Sequence, residues 1–423
     1  MSINSELFEF IKNSPSAYHT VASVKTELVK NGFTELSEGE NWQLSSGAGY
    51  FVTRNGTSVI AFRFNSDARG FMIAASHSDS PSFRLKISPE TKGAYTRLSV
   101  ERYGGMINYS WLDRPLSVAG RVVVRTERGI ESRLVNIDRD VAVIPSVAIH
   151  MNRGVNDGYK FNPATDLLPL TATAEGEGKI TSMLASLADA SESDIISHDL
   201  FLYNRDEGRV IGSRDEFILA PRIDDLGCVF SSLKAFVSAE KSASIPVLAV
   251  FDNEEVGSET KQGAASTFLC DTLRRISGEE LEKMLSNSFM ISADNAHAKH
   301  PNHPELADAE NAPVLNGGVV IKWNANQRYT TDGVSDAVFR TVAQRCGAKT
   351  QTYYNRADML GGSTLGSISN TKVSIPTVDI GLPQLAMHSA NETAGANDTK
   401  ELIKILTEFY KTSIKKVGDS IEF

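Results

Sequence analysis

The chain has 423 residues and a mass of 46.0 kDa, with 41% hydrophobic and 22% charged residues. That composition excludes a disordered protein, and the length predicts about two or three domains. Lys and Arg total 43 against 52 Asp and Glu, a net charge of −9, so nucleic acid and anionic membrane surfaces are not expected as partners.

The first 30 residues predict helices, because Leu7, Phe8 and Ile11, then Val21, Val24 and Leu28, recur at helical spacing. Asn31-Gly32 stops the second of them. This N-terminus has acids and no basic region before an apolar stretch, so no secretion signal is expected. No apolar run reaches the roughly 20 residues of a membrane span, and the expected location is the cytoplasm. GYFVTR (49–54) and TSVIAFRF (57–64) read as strands joined by Asn55-Gly56, a strong hairpin signal. FMIAAS (71–76) is a short apolar run that ends at His77. From 88 to 215 the texture becomes β-rich and turn-rich, with RVVVRT (121–126), VAVIP (141–145) and DLFLYN (199–204) and one short helix near 181–190.

After 215, helices alternate with strands: a helix at 225–239, PVLAVF (246–251), a helix near 278–286, FMISA (289–293), GVVIKW (318–323) and a helix at 333–346. A last helix from Asp398 puts Leu402, Ile405, Leu406, Phe409 and Tyr410 on one face. The pattern predicts an α/β fold: a mainly parallel sheet flanked by helices, built from 1–87 and 216–423, with an inserted β-rich domain at 88–215.

Acids and histidines fall where apolar runs stop. His77 and Asp79 follow FMIAAS, Glu254 and Glu255 follow PVLAVF, Asp294 follows FMISA, and His388 comes shortly after VDIGLPQLAM (378–387). Ligands of open α/β sheets bind at the carboxyl ends of strands, so these positions predict a metal site. Asp79 lies two residues from His77, the spacing at which it can fix the imidazole. Two adjacent carboxylates after a buried strand are costly to desolvate without a cation, although a solvated loop explains Glu254-Glu255 as well. His297, His300 and His303 form either a metal cluster or a plain polar loop. Asp224 and Asp225 read most simply as the cap and first-turn acid of the following helix. Cys228, Cys270 and Cys346 are far apart and form no CxxC pair, so neither a disulfide framework nor a thiolate zinc site is expected. Gly361-Gly362-Ser363-Thr364 lacks a Walker lysine, and no GxSxG elbow is present.

Taken together, SPSAYHTV (14–21), SHSDSPSFRLK (76–86), PRIDDLG (221–227), DNEEVGS (252–258), SADNAHAKHPN (292–302), WNANQRYTTDGVSDA (323–337), the block from Asn355 to Ile368 and LPQLAMHS (382–389) resemble the aspartyl aminopeptidase family of zinc metallopeptidases, as a bacterial-type member. The resemblance runs nearly end to end. It implies an aminopeptidase with two zinc ions per subunit, cobalt or manganese being possible substitutes. His77 and Asp294 would hold one ion, Glu255 and His388 the other, and Asp224 would bridge them around a hydroxide. Glu254 would be the general base, and Asp79 would orient the histidine ligand. The family's assembly implies dimers, made through the inserted domain, that join into a tetrahedral homododecamer. His150 in AIHMNR (148–153) would then reach a neighbouring subunit's active site and stabilise the oxyanion. Peptides are the implied substrates, with N-terminal Asp or Glu preferred and Lys322 and Arg356 near the substrate side chain. Ala357-Asp358-Met359-Leu360 departs from the family pattern after that arginine, so a broader preference is the alternative. Competing readings are a carboxypeptidase or deacylase on the same scaffold, and a structural shell without catalysis.

Overall fold

The apolar runs become the middle of a nine-stranded sheet. The computed structural model describes residues 2–176, 178–240 and 242–423. Across the sheet the strands run Thr34–Leu36, Gly49–Arg54, Ser58–Arg63, Ile245–Phe251, Phe71–His77, Phe289–Ala293, Thr377–Gly381, Val319–Trp323 and Thr350–Tyr354. Five of the eight pairings are parallel, and three are antiparallel. The register pairs Phe251 with His77, Ser292 with Ala75, and Ala293 with Ile380. Four central strands therefore finish at one edge of the sheet, which brings His77, Asp252 and Asp294, at the ends of three of them, to the same edge.

The central strands are buried on both faces, which is why they read as unbroken apolar runs. Side chains alternate between two cores. Met72, Ala74, Leu248 and Val250 pack with Val229, Phe236, Leu402, Ile405 and Phe409 from helices Ile223–Val237 and Asp398–Lys411. Phe71, Ile73, Val247 and Ala249 face the other way, against Phe268 and Leu273 of helix Phe268–Ser277. Each fully buried Val, Leu, Ile, Met or Phe among them contributes about 1.5–3 kcal/mol relative to exposure. Asn55 (φ 58) and Gly56 (φ 72) adopt the left-handed conformations of a tight hairpin, as their sequence predicts. The helix expected at 278–286 is shorter, Leu281–Leu285 after a 3₁₀ turn. A five-stranded sheet, Arg209–Ile211, Phe217–Ala220, Glu392–Gly395, Pro383–Leu385 and Ala296–His297, belongs to the same unit.

The chain divides into two units, one of 1–79, 209–387 and 392–423, the other of 80–208 and 388–391. The sequence texture places the corresponding changes at 88 and 215. The second unit is a six-stranded sheet ordered Gly129–Asn136, Leu116–Thr126, Ile195–Asn204, Ser82–Thr91, Tyr95–Tyr103 and Leu170–Thr173. All its pairings are antiparallel. Phe83, Leu98, Trp111, Val118, Leu200 and Leu202 form its core, with helix Lys179–Leu187 contributing Ile180 and Leu184.

Candidate metal centre and active site

His77 is the last residue of its strand and is almost wholly buried. Its Nδ1 lies 3.0 Å from the Asp79 carbonyl oxygen and 3.4 Å from Asp79 Oδ1. With the Nδ1 proton donated there, Nε2 presents its lone pair. That nitrogen faces Asp224 Oδ1 at 3.4 Å and Asp294 Oδ1 at 3.9 Å. The His77 backbone N–H donates to Asp225 Oδ2 at 3.1 Å. Asp224 and Asp225 lie within helix Ile223–Val237, but their backbone angles are not helical and the peptide between them is cis. Their carboxylates thus face His77, which corrects the local reading of the pair as helix cap and first-turn acid. Asp294 follows Phe289–Ala293 directly.

The turn after Ile245–Phe251 carries the two glutamates. Asn253 takes a left-handed conformation (φ 63), and Glu254–Val256 forms a single 3₁₀ turn. The backbone N–H of Glu254 donates to Asp79 Oδ1 at 3.1 Å, and that of Glu255 to Asp79 Oδ2 at 3.2 Å. Asp79 therefore serves His77 through its carbonyl and the glutamate turn through its carboxylate.

This concentration of acids out of water has electrostatic consequences. Burial, then Asp294, Asp79 and Asp224, push the Glu254 carboxyl up to about 8, against the pull of His77. Burial and the neighbouring Asp294 and Asp224 push Asp225 well above the usual carboxylate range. Burial opposes a charge on His77, yet Asp225, Asp224, Asp294 and Asp79 outweigh it and hold the imidazole well above its ordinary value. Each of these shifts marks a place where a cation is favoured. Among the described residues, His77, Asp224, Asp225 and Asp294 place ligand atoms within 4.8 Å of one another, and so do His77, Glu254 and Glu255. The donors are imidazole nitrogen and carboxylate oxygen without thiolate, a set that fits catalytic zinc. The nearby thiol, Cys228, is spent on Asn295 Oδ1 at 3.3 Å.

The structure thus brings together His77, Asp79, Asp224, Glu254, Glu255 and Asp294. Lys322 is buried beside them, its Nζ donating to the Asn295 carbonyl at 3.0 Å and standing 3.6 Å from Asp294 Oδ2. Arg356 lines a cavity of about 270 Å³ with His297, Tyr353, Met359 and Leu360. Its guanidinium donates to Asp358 Oδ2 at 2.8 Å and to the Glu305 carbonyl. His300 and His303 lie along the same cavity. His388 belongs to the second unit, with Nδ1 2.9 Å from the Gly105 carbonyl. His150 is exposed in a turn of that unit. Asp225 escaped the sequence reading as a site residue, since an acid beside a helix start looks like a cap.

The α/β fold and the cluster of His77 and acids at the carboxyl edge of its sheet fit a metal-dependent hydrolase. The family profile for the aminopeptidase I zinc metalloproteases (M18) matches residues 10–410. The chain belongs to this M18, aspartyl aminopeptidase-type family, and it is a zinc-dependent aminopeptidase, a hydrolase of peptides. It is similar to a probable M18 family aminopeptidase 2 of Clostridium acetobutylicum, 46% identical over 422 residues, covering 96% of this chain and 98% of that one. A Pseudomonas aeruginosa protein of the same description is 39% identical, covering 97% and 98%. Among solved structures, Ape4 in its complex with Nbr1 superposes with a TM-score of 0.93 at 34% identity, covering 96% of this chain and 85% of that one. The S. cerevisiae mApe1 dodecamer gives 0.86 at 30% identity, covering 97% and 96%. Among the described residues no helix is long and apolar enough to cross a membrane.

Proposed function

We propose that this aminopeptidase acts through a two-zinc centre, with His77 and Asp294 holding one ion, Glu255 and His388 the other, and Asp224 shared between them. The observation that carries the reading is His77 Nε2 facing Asp224 and Asp294 in a buried, acid-rich pocket. Glu255, from the turn that Asp79 holds, extends the same donor set. The assignment of His388 rests on family likeness. Zinc, when bound, supplies Lewis acidity to the scissile carbonyl and to water. Glu254 accepts the proton of the attacking water at its carboxylate and returns it to the leaving amine. Asp79 keeps the His77 ring turned so that Nε2 points at the acids. The substrate's free α-amino group binds in the acid-rich pocket, which restricts cleavage to the first residue. His150 of a neighbouring subunit stabilises the oxyanion, within dimers that build a tetrahedral dodecamer in the cytoplasm.

For the substrate we propose N-terminal Asp or Glu, selected by Lys322 and Arg356. Support comes from the Lys322 ammonium, which burial opposes but Asp294 and its neighbours keep charged. A second reading, a broader or apolar preference, is favoured by the commitment of Arg356 to Asp358 and by Met359 and Leu360 in the cavity wall. Aminoacyl p-nitroanilides of Asp, Glu, Leu, Lys and Ala separate the two, run with and without chelator beside Glu254→Gln. We expect chelator-sensitive turnover, reduced about 10²–10⁴-fold in the variant. Turnover of peptides blocked at the amine, with none on free amines, overturns the reading in favour of a carboxypeptidase or deacylase. No turnover by the zinc-loaded dodecamer on any substrate leaves a structural shell.

A further inference from the structure

The glutamate turn needs support from more than Asp79. It sits at the start of a loop with three left-handed residues, Asn253, Gly257 (φ 99) and Ser258 (φ 62), and only a three-residue 3₁₀ turn of regular structure. Beneath it lies a second carboxylate, Asp252, the first residue after the strand and only 5% exposed. Asp252 Oδ1 accepts the Asn253 backbone N–H at 2.7 Å, and the Thr57 hydroxyl also bonds its side chain. From the far end of the loop comes Gln262, 8% exposed. Its single Nε2 donates to Asp252 Oδ2 at 3.2 Å and to Asn253 Oδ1 at 2.8 Å. Thr260 Oγ1 donates to the same Asn253 oxygen at 2.9 Å. The Gln262 carbonyl accepts Ser58 Oγ at 2.7 Å, tying the loop to the hairpin. The loop's base is closed tightly: a Cβ added at Gly263 would stand 2.1 Å from the Ser258 carbonyl oxygen.

We propose that Asp252 and Gln262 form a brace that positions the Glu254–Glu255 turn, so that one loop sets both the proton-transferring carboxylate and a metal-ligating one. The inference rests on the roles given above to Glu254 and Glu255. Asp79 fixes the turn through the two peptide N–H groups, and the brace fixes the residue that precedes them. A base displaced by a fraction of an ångström loses its line to the water, and a ligand displaced likewise loses its ion. Neither Asp252 nor Gln262 touches substrate in this account; both act through the turn.

The test uses full-length Gln262→Met, close in volume but without the two N–H donors, and Asp252→Asn, which sets amide hydrogens against the Gln262 amide. We expect kcat to fall roughly 10–100-fold with KM changed less than about twofold, and zinc affinity of the metal-free protein to fall by a similar factor. Affinity is read by competition with a chromogenic chelator. A merely structural contribution would lower the melting temperature and leave kcat per folded molecule and zinc affinity at wild-type values, which overturns the brace. Glu255→Ala is run alongside. If it binds zinc as tightly as wild type, the reading of the centre fails; if it alone weakens binding, only the brace fails. Should one variant not fold, the other carries the same comparison.

Discussion

The His77 imidazole can serve a metal only in its neutral form, and the hydrogen bond to the Asp79 carbonyl leaves Nε2 as the atom that must shed its proton. Without a cation, the surrounding acids hold His77 charged, while burial and those same acids raise Glu254 to about 8 and Asp225 well above normal. The direction follows: groups that carry protons at pH 7 in the metal-free protein must release them as zinc binds. Titrating zinc into metal-free protein at pH 7, in buffers of different ionisation enthalpy, should therefore report net proton release. The release should shrink as pH rises through about 8, where Glu254 is already ionised. No release at pH 7 would contradict the burial-driven electrostatics. Much of this centre is legible in sequence because an apolar run that stops at a His or an acid marks a strand end, as at His77, Glu254 and Asp294. Asp224 is legible only through the family resemblance of PRIDDLG, because nothing local says that the helix start is unwound and its carboxylate turned toward His77. Gln262 is hidden for a different reason: its partner lies ten residues away, across a loop with no periodicity.

At the scale of elements, the site depends on how closely two strands deliver their ends. Thr377–Gly381 runs parallel to Phe289–Ala293, and a Cβ at Gly381 would stand 2.0 Å from the Asp294 carbonyl oxygen. No side chain can bend out of the way, since the obstacle is backbone. Gly381→Ala should therefore displace Asp294, cost about 1–3 kcal/mol of stability and lower kcat/KM at least about tenfold. Gly333→Ala, where a Cβ meets nothing within 4 Å, should leave both unchanged. Equal activity in the two variants would mean that Asp294 is not held by this approach. The buried central strands were readable as short unbroken apolar runs. Helix Phe268–Ser277 goes unnamed above although its pattern is helical, with Phe268, Leu269, Thr272, Leu273 and Ile276 on one buried face and Asp271, Arg274 and Arg275 on the opposite one.

At the scale of the whole molecule, the proposed action of His150 on a neighbouring subunit predicts complementation. Glu254→Gln and His150→Ala proteins should each be nearly inactive alone. After dissociation and random reassembly in equal amounts, about a quarter of sites would combine an intact Glu254 with an intact neighbouring His150. Recovery of activity on that scale supports action between subunits. No recovery, with mixed oligomers demonstrated by mass, places any role of His150 within its own chain. The sequence offers no physical signal for this residue, since an exposed histidine in a turn looks the same whether or not a partner uses it.

The division of the catalytic unit along the chain also sets the order in which the molecule can be made. Strand Phe71–His77 waits for neighbours that begin at Ile245 and Phe289, whereas the six strands of the second unit are all synthesised by Asn204. At roughly 5–20 residues per second, the apolar segment from Phe71 to Ala75 leaves the ribosome many seconds before its partners exist. The β-rich unit can therefore fold while the N-terminal segment still needs shelter from aggregation. A chain interrupted at residue 208 would carry a nearly finished β-rich unit and His77, but none of Asp224, Glu254, Glu255 or Asp294. The peptidase is in this sense disarmed during its own synthesis, because the acids that would complete its centre are among the later residues to be joined.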